Sequence, residues 1–216
     1  MELCVSFDNG PEPEATPLVL EALSRRGLRA NFFPIAQKLR DPARRALAER
    51  AFAEGHRIGN HTLTHGAPLG RRGGAEAVAE IMQAEALLAP LNTERLFRPN
   101  GGGGALGPHL LNASAERHLR AEAYTVVLWN AVPGDFRDPE GWPDVALAQC
   151  RAMAGPILIV LHDLPNGAMR HLDAFLDRLA AEGARFTPDF PEACLALREG
   201  LPLCDLAAIS GEDIAP

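Results

Sequence analysis

The chain has 216 residues, of which 47% are hydrophobic and 23% are charged, as in an ordinary globular protein. This length suits one domain with a sizeable buried core. The formal net charge of −7 argues against nucleic acid or an anionic membrane surface, so we expect neither as a partner.

Short apolar runs alternate with longer amphipathic segments along the chain. The apolar runs predict buried strands at residues 3–7, 30–34, 57–59, 95–97, 125–129, 157–161 and 184–186. The amphipathic segments predict helices that begin near residue 18 and continue with 43–53, 75–88, 142–152 and 169–181. This rhythm predicts an α/β fold with a mostly parallel sheet, and seven strands favour a barrel over a sandwich.

Polar residues stand directly after several of the predicted strands. In barrels of this class the reactive groups belong on the loops that follow the carboxyl ends of the strands. We therefore expect side chains from five separated segments to converge on one face. These residues are Asp8, Asn9, Asn60, His61, His65, Arg98, Asp135, His162 and Asp163.

The stretch GNHTLTH places His61 and His65 four residues apart. On one helical turn this spacing brings both imidazoles to the same face, about 5–6 Å apart at Cβ, where they can reach one cation. Two surface or capping histidines are the alternative. The position directly after a buried strand favours the metal site.

Two further stretches end strands with polar groups. In LFRPNGGGG, Arg98 and Pro99 precede a glycine run that lacks the Lys-Ser/Thr of a phosphate-binding loop. The run is either a flexible surface loop or a close backbone approach to a substrate, with N–H groups for an oxyanion. In ILIVLHDLP, His162 is either a core residue or a general acid with a tuned pKa.

The four cysteines show no CxxC or other metal-ligand spacing. We interpret them as buried or incidental thiols in a reducing compartment. The sequence also shows no signal-peptide pattern and no apolar run of membrane-spanning length, so we expect a cytoplasmic protein.

Taken together, these segments resemble the polysaccharide deacetylase family, the NodB-homology domain of carbohydrate esterase family four. That family has the ordered motifs TFDDGP, HTxxH, RxP followed by a glycine, an Asp six residues after a Trp, and LxHD. The chain has SFDNGP, HTLTH, FRPNGG, Trp129 followed by Asp135, and VLHD, in the same order. The resemblance covers roughly residues 3–187.

The resemblance implies a single α/β domain, a distorted (β/α) barrel of about seven strands formed by residues 1–187. Residues 188–216 would be a C-terminal extension that packs on this domain or is partly mobile. The implied activity is metal-dependent hydrolysis of amide C–N bonds, removing an N-acetyl or similar acyl group from a carbohydrate or related substrate. The expected ion is Zn²⁺, with Co²⁺ or Ni²⁺ as alternatives.

The resemblance also implies a role for each matched residue. Asp8 would deprotonate the attacking water, and Arg98 would hold Asp8 ionised and oriented. His162 would protonate the leaving amine, with Asp135 tuning it. Asn9, His61 and His65 would be the metal ligands. The implied substrate and oxyanion residues are Pro99, Asn100, Gly101, Trp129 and Phe136.

The chain departs from the family pattern at Asn9, where the family has a second Asp. A neutral amide oxygen is a poorer donor than a carboxylate for a transition metal, so we expect a weakly held ion. Two alternatives stay open on this evidence. One is a metal-free amidohydrolase acting on a small ureide or cyclic amide, and the other is a binding domain with a decayed site.

Overall fold

In the computed structural model, which describes residues 1–214, strands and helices alternate as the sequence predicts. The strands are β1 (Glu2–Asp8), β2 (Asn31–Phe33), β3 (Arg57–Ile58), β4 (Leu96–Phe97), β5 (Leu111–Asn112), β6 (Thr125–Val127), β7 (Ile157–His162), β8 (Arg185–Phe186), β9 (Leu195–Arg198), β10 (Leu201–Pro202) and β11 (Ser210–Gly211). The helices are α1 (Thr16–Ser24), α2 (Pro42–Ala53), α3 (Gly74–Leu88), α4 (Ala113–Ala121), α5 (Trp142–Ala152) and α6 (Leu172–Ala181). None of these described helices is both long enough and apolar enough to cross a membrane.

Two sheets close into a distorted barrel. The first has the order β3-β2-β1-β7, all parallel, and β8 also pairs with β1. The second has the order β10-β9-β6-β4. Single-residue parallel bridges join the two sheets at two places. One links Asn60, just after β3, to Phe97 of β4, and the other links Ala131, just after β6, to Ile159 of β7. The predicted α/β barrel is therefore confirmed, with the helices packed outside it.

The register of β1 and β7 places two polar residues side by side. Both strands are mostly apolar and are buried along almost their whole length, as expected for parallel strands covered on both faces. Asp8 and His162 are the last residues of the two strands and pair directly in the register. Because parallel strands end at the same edge of a sheet, two groups 154 positions apart become neighbours.

Several elements have no signal in the sequence pattern. The sequence pattern predicts no helix where α4 lies. The side chain of Asn112 caps this helix by accepting a hydrogen bond from the Ala115 N–H at 2.9 Å. Residues 168–171 form a 3₁₀ turn, so the helix predicted from residue 169 begins at Leu172. Strand β9 runs antiparallel to β6 and buries residues 195–197. The segment after residue 187 thus supplies a strand to the second sheet.

Candidate active site

A cavity of about 320 Å³ opens at the carboxyl ends of the barrel strands. It is lined by most of the residues that the sequence analysis selected. The lining consists of Asp8, Asn9, His61, His65, Pro99, Gly101, Gly103, Gly104, Trp129, Val132, Phe136, Val160, His162 and Leu164. The other selected residues lie outside this lining and are buried: Asn60, Arg98, Asn100, Asp135 and Asp163.

Arg98 and Asp8 form an ion pair beneath the cavity. The Arg98 guanidinium is fully buried and donates from Nη1 to Asp8 Oδ1 at 2.7 Å and to Ser6 Oγ at 2.8 Å. The planar face of the guanidinium stacks on the Phe33 ring, with Arg98 Cζ 4.1 Å from the ring centroid. Burial alone would raise the pKa of the Asp8 carboxyl, but the positive charge and hydrogen bond of Arg98 outweigh burial and hold that pKa below its ordinary value. Asp8 is therefore a carboxylate at neutral pH.

The rings of His61 and His65 meet, with centroids 4.8 Å apart, but the segment between them is not helical. The prediction of a helical turn is wrong. Thr62 and His65 have positive φ angles of 66° and 54°. Glu80 on α3 accepts hydrogen bonds from the Thr64 backbone N–H at 2.9 Å and hydroxyl at 2.7 Å. These bonds to a distant helix replace the bonds of a helical turn and still bring the imidazoles together.

Both imidazoles are held in the neutral form that binds metals. His61 Nδ1 lies 2.8 Å from the Arg98 carbonyl oxygen. Because a carbonyl oxygen only accepts, Nδ1 carries the hydrogen and Nε2 keeps its lone pair. Burial lowers the pKa of His61 to about 3 and also lowers the pKa of His65.

Asn9 adds a third donor to this wall of the cavity. Its backbone is in the left-handed region (φ 75°), and its Oδ1 is buried without a hydrogen-bond partner among the described residues. An unpaired buried polar atom costs about 1–3 kcal/mol, which a cation would offset. No group of three or more His, Cys, Asp or Glu side chains within residues 1–214 could hold a metal ion. The residues present therefore fit a divalent ion through two imidazole nitrogens and one amide oxygen. None of these three donors carries a negative charge.

His162 and Asp135 form a second charged pair on the other side of Asp8. Asp135 is fully buried and accepts from the His162 backbone N–H at 2.7 Å and from ring atom Nδ1 at 2.9 Å. Burial lowers the pKa of His162, but the hydrogen bond and charge of Asp135 outweigh it, and the pKa lies above its ordinary value. The edge of the Phe136 ring packs on this imidazole at 4.8 Å. His162 therefore keeps its proton to a higher pH than an ordinary histidine.

The glycine run forms an anchored loop over the cavity. Trp129 Nε1 donates to the Gly104 carbonyl at 2.8 Å, and Asn100 Nδ2 donates to the Gly66 carbonyl at 2.8 Å. A β-carbon at Gly101 would lie 2.8 Å from Trp129 Cη2, so only glycine brings the backbone this close to the indole. These contacts fix the run in place, which argues against a freely flexible surface loop, while an approach to a substrate stays a prediction.

The structure adds a residue to which the sequence analysis gave no role. Asp163 is buried, and its carboxylate accepts from the Gly10 N–H at 2.9 Å and from Thr16 Oγ1 at 2.5 Å. A β-carbon at Gly10 would overlap that carboxylate. Burial raises the pKa of Asp163 to about 7. Asp163 thus clamps the loop that carries Asn9 to the end of β7. The sequence marks Asp163 by its place after a predicted strand and in the VLHD stretch, but not by this contact.

Comparison with known proteins decides the family. The model of the polysaccharide deacetylase family matches residues 2–120, more than half of the chain. The chain belongs to the polysaccharide deacetylase family. This confirms the resemblance seen in the motifs, and it makes the protein a hydrolase that acts on carbon–nitrogen bonds other than peptide bonds.

Two relatives of this polysaccharide deacetylase cover most of its length. It is 33% identical over 190 residues to a chitooligosaccharide deacetylase of Sinorhizobium fredii, covering 85% of the chain and 83% of the relative. It is 28% identical over 195 residues to a peptidoglycan-N-acetylglucosamine deacetylase of Bacillus cereus, covering 85% of the chain and 84% of the relative.

Solved structures agree in fold. A family 4 carbohydrate esterase from Streptomyces lividans in complex with acetate superposes with a TM-score of 0.73, at 22% identity and 98% coverage of both chains. A family 4 acetyl xylan esterase from Clostridium thermocellum, in complex with a cobalt ion, gives a TM-score of 0.69 at 20% identity, with 87% of both chains covered. At these identities the likeness is one of fold.

Proposed function

We propose that this polysaccharide deacetylase removes the N-acetyl group from N-acetylglucosamine units of an oligosaccharide, with the help of a divalent metal. The observation that carries the proposal is the placement of two oppositely tuned groups on adjacent strand ends. Asp8 is held ionised by Arg98, and His162 is held protonated by Asp135. Both line one cavity. A carboxylate base beside an imidazolium acid is the pair that amide hydrolysis requires.

The proposed reaction uses each member of the pair once. Asp8 accepts a proton from a water molecule as the water oxygen attacks the acyl carbon. The C–N bond then breaks, and His162 donates its proton to the leaving nitrogen, releasing an amine and acetate. The pairing of Asp135 with Nδ1 leaves Nε2 of His162 as the atom that can donate to the substrate.

Asn9, His61 and His65 would hold the ion. When bound, a divalent cation would polarise the acyl carbonyl and the attacking water. The cobalt complex of the Clostridium thermocellum relative supports a divalent metal in this family. Two neutral imidazoles and a neutral amide bring no negative charge to the ion. The only negative charge near these ligands would be that of Asp8, the proposed base. We therefore propose weak retention of Zn²⁺, Co²⁺ or Ni²⁺.

The remaining wall of the cavity would bind the sugar and its acyl group. Trp129 and Phe136 present aromatic surface on which the apolar face of a sugar ring packs. The backbone near Gly101 would donate an N–H to the developing oxyanion. Pro99 borders the same part of the cavity, whereas Asn100 contributes by anchoring the loop.

Release of acetate from chitotetraose tests this proposal. We expect turnover with added Zn²⁺, Co²⁺ or Ni²⁺, loss on strong chelation, and loss in Asp8→Asn. A chain that binds none of these ions and releases no acetate in their presence would contradict the proposal. Activity that survives chelation would support the metal-free amidohydrolase instead. Turnover that depends on Asp8 would rule out a decayed binding domain.

We also propose a reducing, cytoplasmic location. Cys4, Cys150 and Cys194 are buried thiols and Cys204 is an exposed one, and no two of them form a disulfide within the described part of the chain. Cell fractionation with antibody detection checks this, and recovery of the protein from an extracytoplasmic fraction would contradict it.

A further inference from the structure

Arg137 stands at the mouth of the cavity, next to residues that line it. Its guanidinium carbon lies 4.9 Å from the centroid of the Phe136 ring, and Phe136 in turn packs on His162. A β-carbon at Gly103, another lining residue, would overlap Arg137 Nη2. The positive charge therefore lies between the aromatic wall and the glycine loop, one aromatic ring away from the proposed proton donor.

Among residues 1–214, the guanidinium of Arg137 has no acidic partner. Most other arginines pair with a carboxylate, but Arg137 makes no salt bridge and no side-chain hydrogen bond within residues 1–214. The nearest acids along the chain are engaged elsewhere, and Asp135 is paired with His162. Asp138 Oδ1 accepts from the Gly141 N–H at 2.9 Å, and Glu140 pairs with Arg170 and His171.

An arginine stacked on an aromatic ring keeps its planar edge of N–H donors for another group. That edge matches a carboxylate, which accepts two parallel hydrogen bonds from it. Stacking on Phe136 restricts the side chain, so less conformational entropy is lost when a ligand binds. In a protein of net charge −7, an unpaired cation at the cavity mouth also gives an anionic substrate a local attraction.

We propose that Arg137 binds a carboxylate on the sugar substrate, so that the preferred substrate is an acidic N-acetylated saccharide. The carboxylate would lie on the sugar that carries the acyl group or on its immediate neighbour, because Arg137 stands one aromatic ring away from His162. This inference rests on the proposed deacetylase function and narrows its substrate class. Arg137 acts in substrate selection and takes no part in proton transfer.

Matched ligands test the proposal. Chitotetraose is compared with chitotetraose whose C6 hydroxyls have been oxidised to carboxylates, and both dissociation constants are measured by isothermal titration calorimetry. The proteins are wild type, Arg137→Gln, Arg137→Lys and, as a control, Arg29→Gln. Arg29 is also exposed and forms no salt bridge within the part of the chain that the structure describes, but it precedes β2 at the opposite end of the strands.

Wild type and Arg29→Gln should bind the carboxylated ligand about tenfold more tightly than chitotetraose, as one partly exposed charge-assisted contact gives. The preference should disappear in Arg137→Gln, be partly retained in Arg137→Lys, and shrink at high salt. Equal affinities in wild type, no binding of either ligand, or a preference that survives Arg137→Gln would overturn the proposal. Acetate release, measured separately on both ligands, distinguishes this failure from failure of the deacetylase function.

Discussion

Replacing Arg98 with methionine tests whether the ion pair beneath the cavity stabilises the fold. Methionine keeps most of the aliphatic volume, so the main change is loss of the charge that faces Asp8. Arg98 is fully buried and the Asp8 side chain is 6% exposed, so solvent screens the pair little. Breaking a buried ion pair costs about 3–5 kcal/mol, because it leaves one charge unpaired.

That loss is a large part of the free energy of unfolding of a domain, which is about 5–15 kcal/mol. For a chain of this size it corresponds to a fall in Tm of roughly 6–20 °C. Urea unfolding followed by circular dichroism, with chelator present in all samples, measures it at several pH values. The double variant with Asp8→Asn removes the stranded carboxylate and should be more stable than Arg98→Met alone.

The pH dependence gives a second readout of the same pair. In wild type the pKa of Asp8 is depressed, so its contribution to stability is present above the ordinary pKa near 3.8 and is lost as the pH falls through the folded value. Without Arg98, burial raises that pKa, so acid protonates and relieves the stranded carboxylate. The stability difference between wild type and Arg98→Met should therefore be larger at pH 7 than at pH 4.5. A loss below about 1 kcal/mol at pH 7, or a double variant no more stable than the single one, would refute the reasoning.

Three further predictions concern the proposed metal ligand Asn9, the proposed proton donor His162 and the buried carboxyl of Asp163. Asn9→Asp should bind Zn²⁺ about tenfold or more tightly than wild type in isothermal titration, because a carboxylate adds a charge to the donor set; equal affinities would contradict our interpretation of Asn9. His162→Asn should lower kcat by about 10²–10⁴ with little change in KM. Because Asp135 raises the pKa of His162, Asp135→Asn should move the alkaline limb of the pH–rate profile to lower pH. An unmoved limb would exclude His162 as the titrating acid. Because the folded pKa of Asp163, about 7, lies above its ordinary value of 3.8, its contribution to stability is present below pH 4 and declines up to pH 7. The stability of wild type relative to Asp163→Asn should thus fall between pH 4.5 and pH 7.5 in urea unfolding, and a flat difference would contradict the assigned pKa.

Asp8 and His162, the proposed catalytic pair, show how far sequence reasoning reaches. Asp8 and His162 each end an apolar run, and the rule that parallel strands finish at one edge predicts that they meet. The structure places them as directly paired neighbours. Arg98 was expected to orient Asp8, and it lies 2.7 Å away. Its complete burial on the Phe33 ring had no signal in the pattern, because it depends on how β2 and β4 pack against each other.

The histidine segment shows where the local pattern misleads. A spacing of four residues fits a helical turn, yet His61 and His65 meet through a loop held by Glu80. Glu80 lies on α3 and is a polar residue with nothing to mark it in the sequence. The same holds for β9, whose antiparallel place beside β6 comes from the far end of the chain.

By itself the sequence determined the alternation of strands and helices, the family motifs and the residues at the carboxyl ends of the strands. Those properties depend on the period and burial of residues that are neighbours in the chain. Tertiary structure alone decided the burial of Arg98, the loop geometry at His65, the clamp formed by Asp163 and the free guanidinium of Arg137. Each of these depends on contacts between elements far apart in sequence, which a local pattern does not record.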